Sequence, residues 1–191
     1  MVALLAAGRA TRFGGGKVDA HCAGKRLALW VIDAAQEAGL SPGICVTGPD
    51  APRFLSEALG WQQVVNASPE DGLAGSLAAA AREAQGRGAC ALLMVLADMP
   101  LVTPALLRSI AAQTGPAAID HGCGRPGVPA LLPAEMFGSL FAIRGDRGAS
   151  ALLATRPDLL LVQPPAGALL DVDTAADLAH AEALLIAREC S

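Results

Sequence analysis

Short apolar runs alternate along this chain with longer stretches of helical periodicity, and that alternation restricts its fold more than any other feature. Runs at 2–6, 44–47, 63–65, 91–96 and 159–162 read as strands. Between them, Ala- and Leu-rich segments at 27–38, 51–59, 73–84, 104–112 and 174–187 repeat their apolar residues at helical spacing. A helix between two strands has to cross over the sheet, so successive strands pair in parallel and helices cover the faces. The expectation is an α/β fold with a mostly parallel sheet. Three helix starts are marked: Asp50 before the second segment, Thr103 ahead of Pro104, and Asp173 or Thr174 before the last. Composition agrees, since 53% of residues are hydrophobic but only 3% aromatic, which suits helices packed on a sheet better than a β-sandwich.

A chain of 191 residues is long enough to bury a full core as one domain without disulfides or a structural metal. The stretch 115–133 holds four glycines and four prolines. It reads either as a linker or as a lobe inserted over an α/β site, and too little chain follows it to build a second core. We read one domain, 1–191, with 115–148 as a lobe within it. The formal charge of -4 leaves no basic footprint for nucleic acid. Five scattered cysteines without a C-x-x-C pair suggest reduced thiols, with Cys45 and Cys90 buried in strand-like runs. No apolar stretch reaches membrane-spanning length, and the N-terminal run lacks a basic leader, so a cytoplasmic protein is expected.

The chemistry gathers at three places. Leu5-Ala6-Ala7-Gly8-Arg9-Ala10-Thr11-Arg12-Phe13-Gly14-Gly15-Gly16-Lys17 follows the first strand directly, where α/β folds receive ligands. Its glycines let backbone N–H groups approach anionic oxygens, and Arg9, Arg12 and Lys17 supply charge. The spacing matches neither G-x-x-x-x-G-K-[ST] nor G-x-G-x-x-G, so a structural turn with solvated charges is the competing reading. Leu96-Ala97-Asp98-Met99-Pro100 closes the 91–96 run. Asp98 either opens a turn before Pro100 or offers a carboxylate to a hard cation, which takes one or two such groups together with phosphate oxygens. Leu170-Asp171-Val172-Asp173-Thr174 precedes the last helix. There Asp173 is a helix cap, a metal ligand or both, and Asp171 is the second choice because its side chain would alternate away if the strand continued.

Softer signals lie in Glu70-Asp71-Gly72-Leu73-Ala74-Gly75-Ser76, in Gly124-Arg125-Pro126-Gly127-Val128-Pro129 and in Gly145-Asp146-Arg147-Gly148. The first opens a helix whose N-terminal N–H groups, with Ser76, can meet an anion or a base edge. Arg125 and Arg147 are either solvated or aimed at an anion. His21, His121 and His180 have no ligand spacing or nucleophile partner and read as non-catalytic. Lys25 follows Gly24, and Trp30 reads as core.

These segments, in this order, resemble the motifs of the MobA-like NTP transferases, and particularly the molybdenum cofactor cytidylyltransferases. The loop at 5–17 is similar to their L-A-A-G-x-S-x-R-[MF]-G-x-x-K, with Ala10 at the usual serine. Leu96 to Pro100 matches their L-A-D-M-P, and 171–178 resembles D-[IV]-D-T-P-E-D-L with Ala175 and Ala176 replacing Pro and Glu. Arg26 stands where a G-[RK]-P-L segment has proline. The resemblance implies a three-layer α/β/α Rossmann-like fold and nucleotide contacts from Leu5, Ala6, Ala7, Gly8, Gly14, Gly15, Lys17, Gly72 and Ser76. It also implies catalytic roles for Arg12, Lys17 and Asp98, Mg²⁺ on Asp98 and Asp173, and an anionic acceptor on Arg125 and Arg147. The Ala-Ala-Gly run votes for CTP over GTP. The implied reaction is transfer of CMP to molybdopterin cofactor, for use by a molybdenum hydroxylase. The alternatives are a sugar or polyol phosphate acceptor, or an accessory protein that carries cofactor without catalysis.

Overall fold

The computed structural model describes residues 1–8, 13, 15–68, 71–143, 145 and 148–189. Seven strands form one sheet: β1 (Val2–Leu5), β4 (Ile44–Thr47), β5 (Gln62–Val65), β6 (Ala91–Leu96), β7 (Ala117–Asp120), β8 (Pro126–Pro133) and β9 (Leu160–Val162), in the order β5-β4-β1-β6-β8-β7-β9. β1 pairs in parallel with β4 and β6, β4 with β5, and β7 with β9. Only β8 runs against its neighbours β6 and β7. A small antiparallel pair, β2 (His21–Cys22) and β3 (Lys25–Arg26), stands apart.

Helices cover both faces, which is why β1 and β6 are apolar in every residue rather than alternating. On one face α1 (Leu27–Glu37) and α3 (Pro104–Ala111) pack on Leu4, Cys45, Leu93 and Val95. From α1, Ala28, Val31, Ile32 and Ala35 form one stripe of a 3.6-residue period, widened by Leu29 and Ala34. On the other face α2 (Gly72–Gly86), α4 (Phe137–Leu140) and α5 (Ser150–Ala154) meet Ala3, Leu5, Val46 and Met94. The α2 stripe is Leu77, Ala80, Ala81 and Ala84. The last helix, α6 (Ala175–Glu189), shares a third cluster with Cys22, Leu27, Leu101 and Val172. The architecture is therefore the expected α/β/α stack on a mostly parallel sheet.

Two helix starts behave as read. Leu106 N–H donates to Thr103 Oγ at 3.2 Å, with Pro104 in the first helical position. Thr174 and Asp177 form a reciprocal cap: Asp177 N–H donates to Thr174 Oγ1 at 3.2 Å, while Asp177 Oδ2 accepts from Thr174 N–H at 2.8 Å. Thr174, not Asp173, is thus the side-chain cap of α6.

Three expectations are corrected. The helix at 51–59 is only a 3-10 turn over Arg53–Ser56, and Asp50 does not cap it. Its opening N–H groups are taken instead by Asp19, whose Oδ2 and Oδ1 accept from Arg53 and Phe54 at 2.9 and 2.8 Å. Cys90 is exposed just before β6 rather than buried in it. The Gly- and Pro-rich stretch at 115–133 contributes two strands of the main sheet. Its prolines avoid ladder positions that need an N–H: Pro126 and Pro133 sit at the ends of β8, and Pro129 falls in the irregularity where the register shifts between Ala118 and Ile119.

Candidate active site

The sheet's crossovers reverse direction between β1 and β6, the place where open α/β sheets receive ligands beyond the carboxyl ends of their strands. The loop after β1 and the turn after β6 flank that point. Two glycines with positive φ, Gly15 at 97° and Gly16 at 64°, turn the loop back into a 3-10 turn over Lys17–Asp19. That turn leaves Lys17 only 8% exposed. Asp98 follows β6 directly. The segment carrying Asp173 is stitched to it by Val172 N–H, which donates to Asp98 O at 2.9 Å, while the Val172 side chain is buried.

These three pieces of chain meet at one ammonium. Lys17 Nζ donates to Asp98 Oδ2 at 2.7 Å and to Asp173 Oδ1 at 3.0 Å. Burial by itself pushes the Lys17 ammonium down, but bonding to Asp98 and then to Asp173 outweighs it and holds the group above an ordinary lysine. Lys17 is therefore charged throughout the physiological range. Asp171 also senses the cluster, which its second-choice reading as the opposite face did not anticipate. Its carboxyl is pushed up to about 6, first by desolvation and then by repulsion from Asp98 and Asp173, with His121 and Lys17 pulling the other way.

The donor set suits a hard cation. Asp98 Oδ1 is buried and has no hydrogen-bond partner among the described residues, a costly condition for a carboxylate oxygen. Oxygen ligands of this kind are what magnesium and manganese prefer. Among the described residues no three His, Cys, Asp or Glu side chains converge into a cage. Asp98 and Asp173 are the two carboxylates that could hold such a cation here.

A crevice of about 370 Å³ opens beside the cluster, lined by Leu5, Ala6, Ala7, Gly8, Lys17 and Asp98. Gly48, Asp50, Ala51 and Pro52 form its other side, so Asp50, read from the sequence as a helix start, faces the crevice instead. Gly15 shapes the loop without lining the crevice. Gly72 and Ser76 do not line it either. Gly72 opens α2 at φ 58°, and Ser76 is buried, its Oγ accepting from Asn66 Nδ2 at 3.2 Å. A separate cleft of about 390 Å³ lies beside them, lined in part by Asn66, Ser68, Asp71 and Gly75. Arg12, Gly14 and Arg147 lie outside the described residues.

Because β6 and β7 both run against β8, they point the same way, and the β7–β8 turn emerges at the catalytic end of the sheet. Asp120 cinches that turn, with Oδ1 accepting from Gly122 and Gly124 N–H at 2.8 and 3.1 Å. The turn presents Arg125 and His121 to a cavity of about 440 Å³ whose remaining wall includes Leu96, Pro126, Val128, Ser150, Ala151 and Ala154. His121 Nε2 lies 3.0 Å from Val128 O. Its ring covers Gly127 so closely that a Cβ there would stand 2.2 Å from Cδ2. The sequence offered no signal for His121, because its partners come from the return strand. Lys25, by contrast, is held by Asp33 and sits over the Trp30 ring at 3.9 Å from its centroid, away from the crevice.

The fold and the switch-point crevice place the chain among α/β proteins that receive ligands beyond the carboxyl ends of their strands. A model of the MobA-like NTP transferase domain matches residues 2–160. The chain belongs to that family and is a nucleotidyltransferase. Among solved structures, Rv0371c from Mycobacterium tuberculosis H37Rv in complex with manganese is 26% identical, with a TM-score of 0.74 over 95% of this chain and 96% of that one. A nucleotidyl transferase from Methanothermobacter thermautotroptrophicus shares the fold at a TM-score of 0.81, with 22% identity over 98% of this chain and 97% of that one. The bifunctional protein GlmU of Geobacter metallireducens is 33% identical over 110 residues, 56% of this chain. The chain spans only 23% of that relative's length. Among the described residues no helix is long and apolar enough to cross a membrane.

Proposed function

We propose that this enzyme transfers CMP from CTP to the phosphate of a molybdopterin-type cofactor and releases pyrophosphate. The observation that carries the reading is the meeting of Lys17, Asp98 and Asp173 at a crevice lined by Leu5 to Gly8, while the cavity rimmed by Arg125 and His121 opens at the same end of the sheet, with Leu96 at the end of β6 in its wall. In this reading the nucleotide takes the crevice and the acceptor the neighbouring cavity. The acceptor cavity is walled mainly by Leu96, Pro126, Val128, Ala151 and Ala154, which favours a ring system over a sugar or polyol. The base preference rests on the Ala6-Ala7-Gly8 run.

A divalent cation, Mg²⁺ in this reading, would be held by Asp98 and Asp173 and supplies charge neutralisation at the reacting phosphates. The chain's own groups do the rest. Backbone N–H groups of the β1 loop, with Lys17 and Arg12, hold the triphosphate. Arg125 and Arg147 align the acceptor phosphate, whose anionic oxygen attacks the α-phosphorus in line as pyrophosphate leaves. A phosphate monoester is already an anion, so alignment and charge stabilisation suffice without a general base. Two carboxylates, Asp98 and Asp173, meeting Lys17 argue for turnover rather than passive cofactor carriage.

Thermal melts with CTP, GTP, ATP and UTP, each with and without Mg²⁺, test the nucleotide, and pyrophosphate release with candidate acceptors tests the reaction. CTP with Mg²⁺ is expected to stabilise most. Asp98→Ala should stay folded and form no product; an active Asp98→Ala enzyme would sink the assignment.

A further inference from the structure

Lys17 is assigned to the triphosphate, yet its ammonium lies between the two carboxylates that are the cation's ligands. Both demands cannot be met at once. We propose that Lys17 is a placeholder cation: it holds Asp98 and Asp173 together in the nucleotide-free enzyme and cedes them only when a nucleotide offers it phosphate oxygens. The enzyme therefore takes up nucleotide and divalent cation together rather than charging itself with metal first. This inference rests on the reading that Asp98 and Asp173 are the cation's ligands.

The geometry makes the side chain the moving part. The backbone at Lys17 is tied down, with Ala20 N–H donating to Lys17 O and Asp19 N–H to Gly16 O, both at 3.0 Å. Asp19 is in turn locked to Arg53 and Phe54. With its main chain fixed, Nζ can leave the carboxylates only by rotation about its own side-chain bonds. Both Lys17 and Asp98 line the crevice with Leu5 to Gly8, so a triphosphate there lies within the arc of that rotation. Without it, a divalent ion between the carboxylates would face an ammonium already 2.7 and 3.0 Å from the same oxygens. At that range like charges repel strongly even in a partly hydrated crevice. With nucleotide present, the ammonium gains new anionic partners and the carboxylates are released.

The test is Mn²⁺ binding to the whole nucleotide-free protein, read from the electron paramagnetic resonance signal of free Mn²⁺. Lys17→Met, close in length, should bind Mn²⁺ at least about tenfold more tightly than the natural protein, about 1.4 kcal/mol. Lys17→Arg, which keeps the charge, should show no such gain. A Lys17→Met affinity within about twofold of the natural protein overturns the proposal. Asp98→Asn separates the two ideas: if it leaves Mn²⁺ uptake with CTP intact, the ligand assignment has failed rather than the placeholder role. Should Lys17→Met not fold, the natural chain still decides, because it has only two lysines, Lys17 and Lys25. In a spectrum of ε-¹³C-lysine, a non-hydrolysable CTP analogue with Mg²⁺ should move the Lys17 resonance and an equal concentration of Mg²⁺ alone should not. A Lys17 signal that ignores the nucleotide, or follows Mg²⁺ alone, refutes the exchange.

Discussion

Alanine at Gly75 and alanine at Gly86 should change the stability of this enzyme in opposite directions, although both replace a glycine of α2. Relative to glycine, alanine in a helix gains about 0.5–1 kcal/mol because less backbone freedom is lost on folding. At Gly86 nothing lies within 4 Å of the added methyl group, so that gain stands alone. At Gly75 the methyl would lie 2.6 Å from Ser68 O and 2.9 Å from both polar atoms of the Asn66 side chain. Neither neighbour can retreat easily. Ser68 N–H is bonded to Asn66 Oδ1 at 2.9 Å, and buried Asn66 is bonded to Ser76. Forcing a methyl group into a packed site costs about 1–3 kcal/mol, which separates the two variants by that amount. For a domain of this size each kcal/mol moves the melting temperature by about 2–4 °C. Gly86→Ala should therefore melt above the natural protein, and Gly75→Ala on the order of 2–12 °C below Gly86→Ala. Calorimetric melts of the three proteins side by side give the answer. A Gly75→Ala protein as stable as Gly86→Ala would mean that α2 does not abut the Asn66–Ser68 segment as described.

Cysteine reactivity should sort by burial. Cys90 and Cys123 are exposed, whereas burial pushes Cys45 up to about 12, and burial followed by Glu182 pushes Cys22 to about 11. Iodoacetamide at mildly alkaline pH, with peptide mapping by mass spectrometry, should label Cys90 and Cys123 first; equal labelling of Cys45 would contradict its place in the sheet. At the α6 cap, Thr174→Ala should cost about 0.5–2 kcal/mol, seen as a lower urea midpoint with an unchanged slope. The cap also carries a pH signature. Bonding to Thr174, with the N–H groups of Asp173 and Thr174, lowers the Asp177 pKa below 3.8. Its contribution is thus complete above about pH 4 and is lost as pH falls through the lower folded-state value. Asp177→Asn should lose less stability than the natural protein between pH 5 and acid conditions around 2; an identical acid profile would exclude the linkage.

What could be read ahead of the structure was whatever is local. β4 and β6 and the start of α3 follow from runs and caps that lie within a few residues of one another. The Gly-rich loop and Asp98 announce themselves because each directly follows a strand. What escaped depended on partners far away in sequence. Nothing near Arg53 shows that Asp19 will take its N–H, so 51–59 looked like a helix. Nothing near Ala117 shows that a strand full of proline can pair, since the permissive register appears only once β6 and β7 are in place. That Asp171 and His121 lie near the Lys17 centre was not legible for the same reason: their surroundings are assembled from the turn after β6, the β7–β8 turn and the segment before α6.

The antiparallel strand β8 also divides the molecule in a way that bears on how such enzymes diversify. On one side of the β6–β8 seam, β5, β4, β1 and β6 carry the crevice in which we place the nucleotide. On the other, a contiguous hairpin supplies Arg125 and His121. Exchanging 117–133 as a block would alter the side on which we place the acceptor while leaving the β1 loop and Asp98 in their own strands. On the proposed assignment of the two cavities, homologous recombination at that seam, or a hairpin graft in the laboratory, would give this fold a route to new acceptors that does not pass through a loss of nucleotide binding.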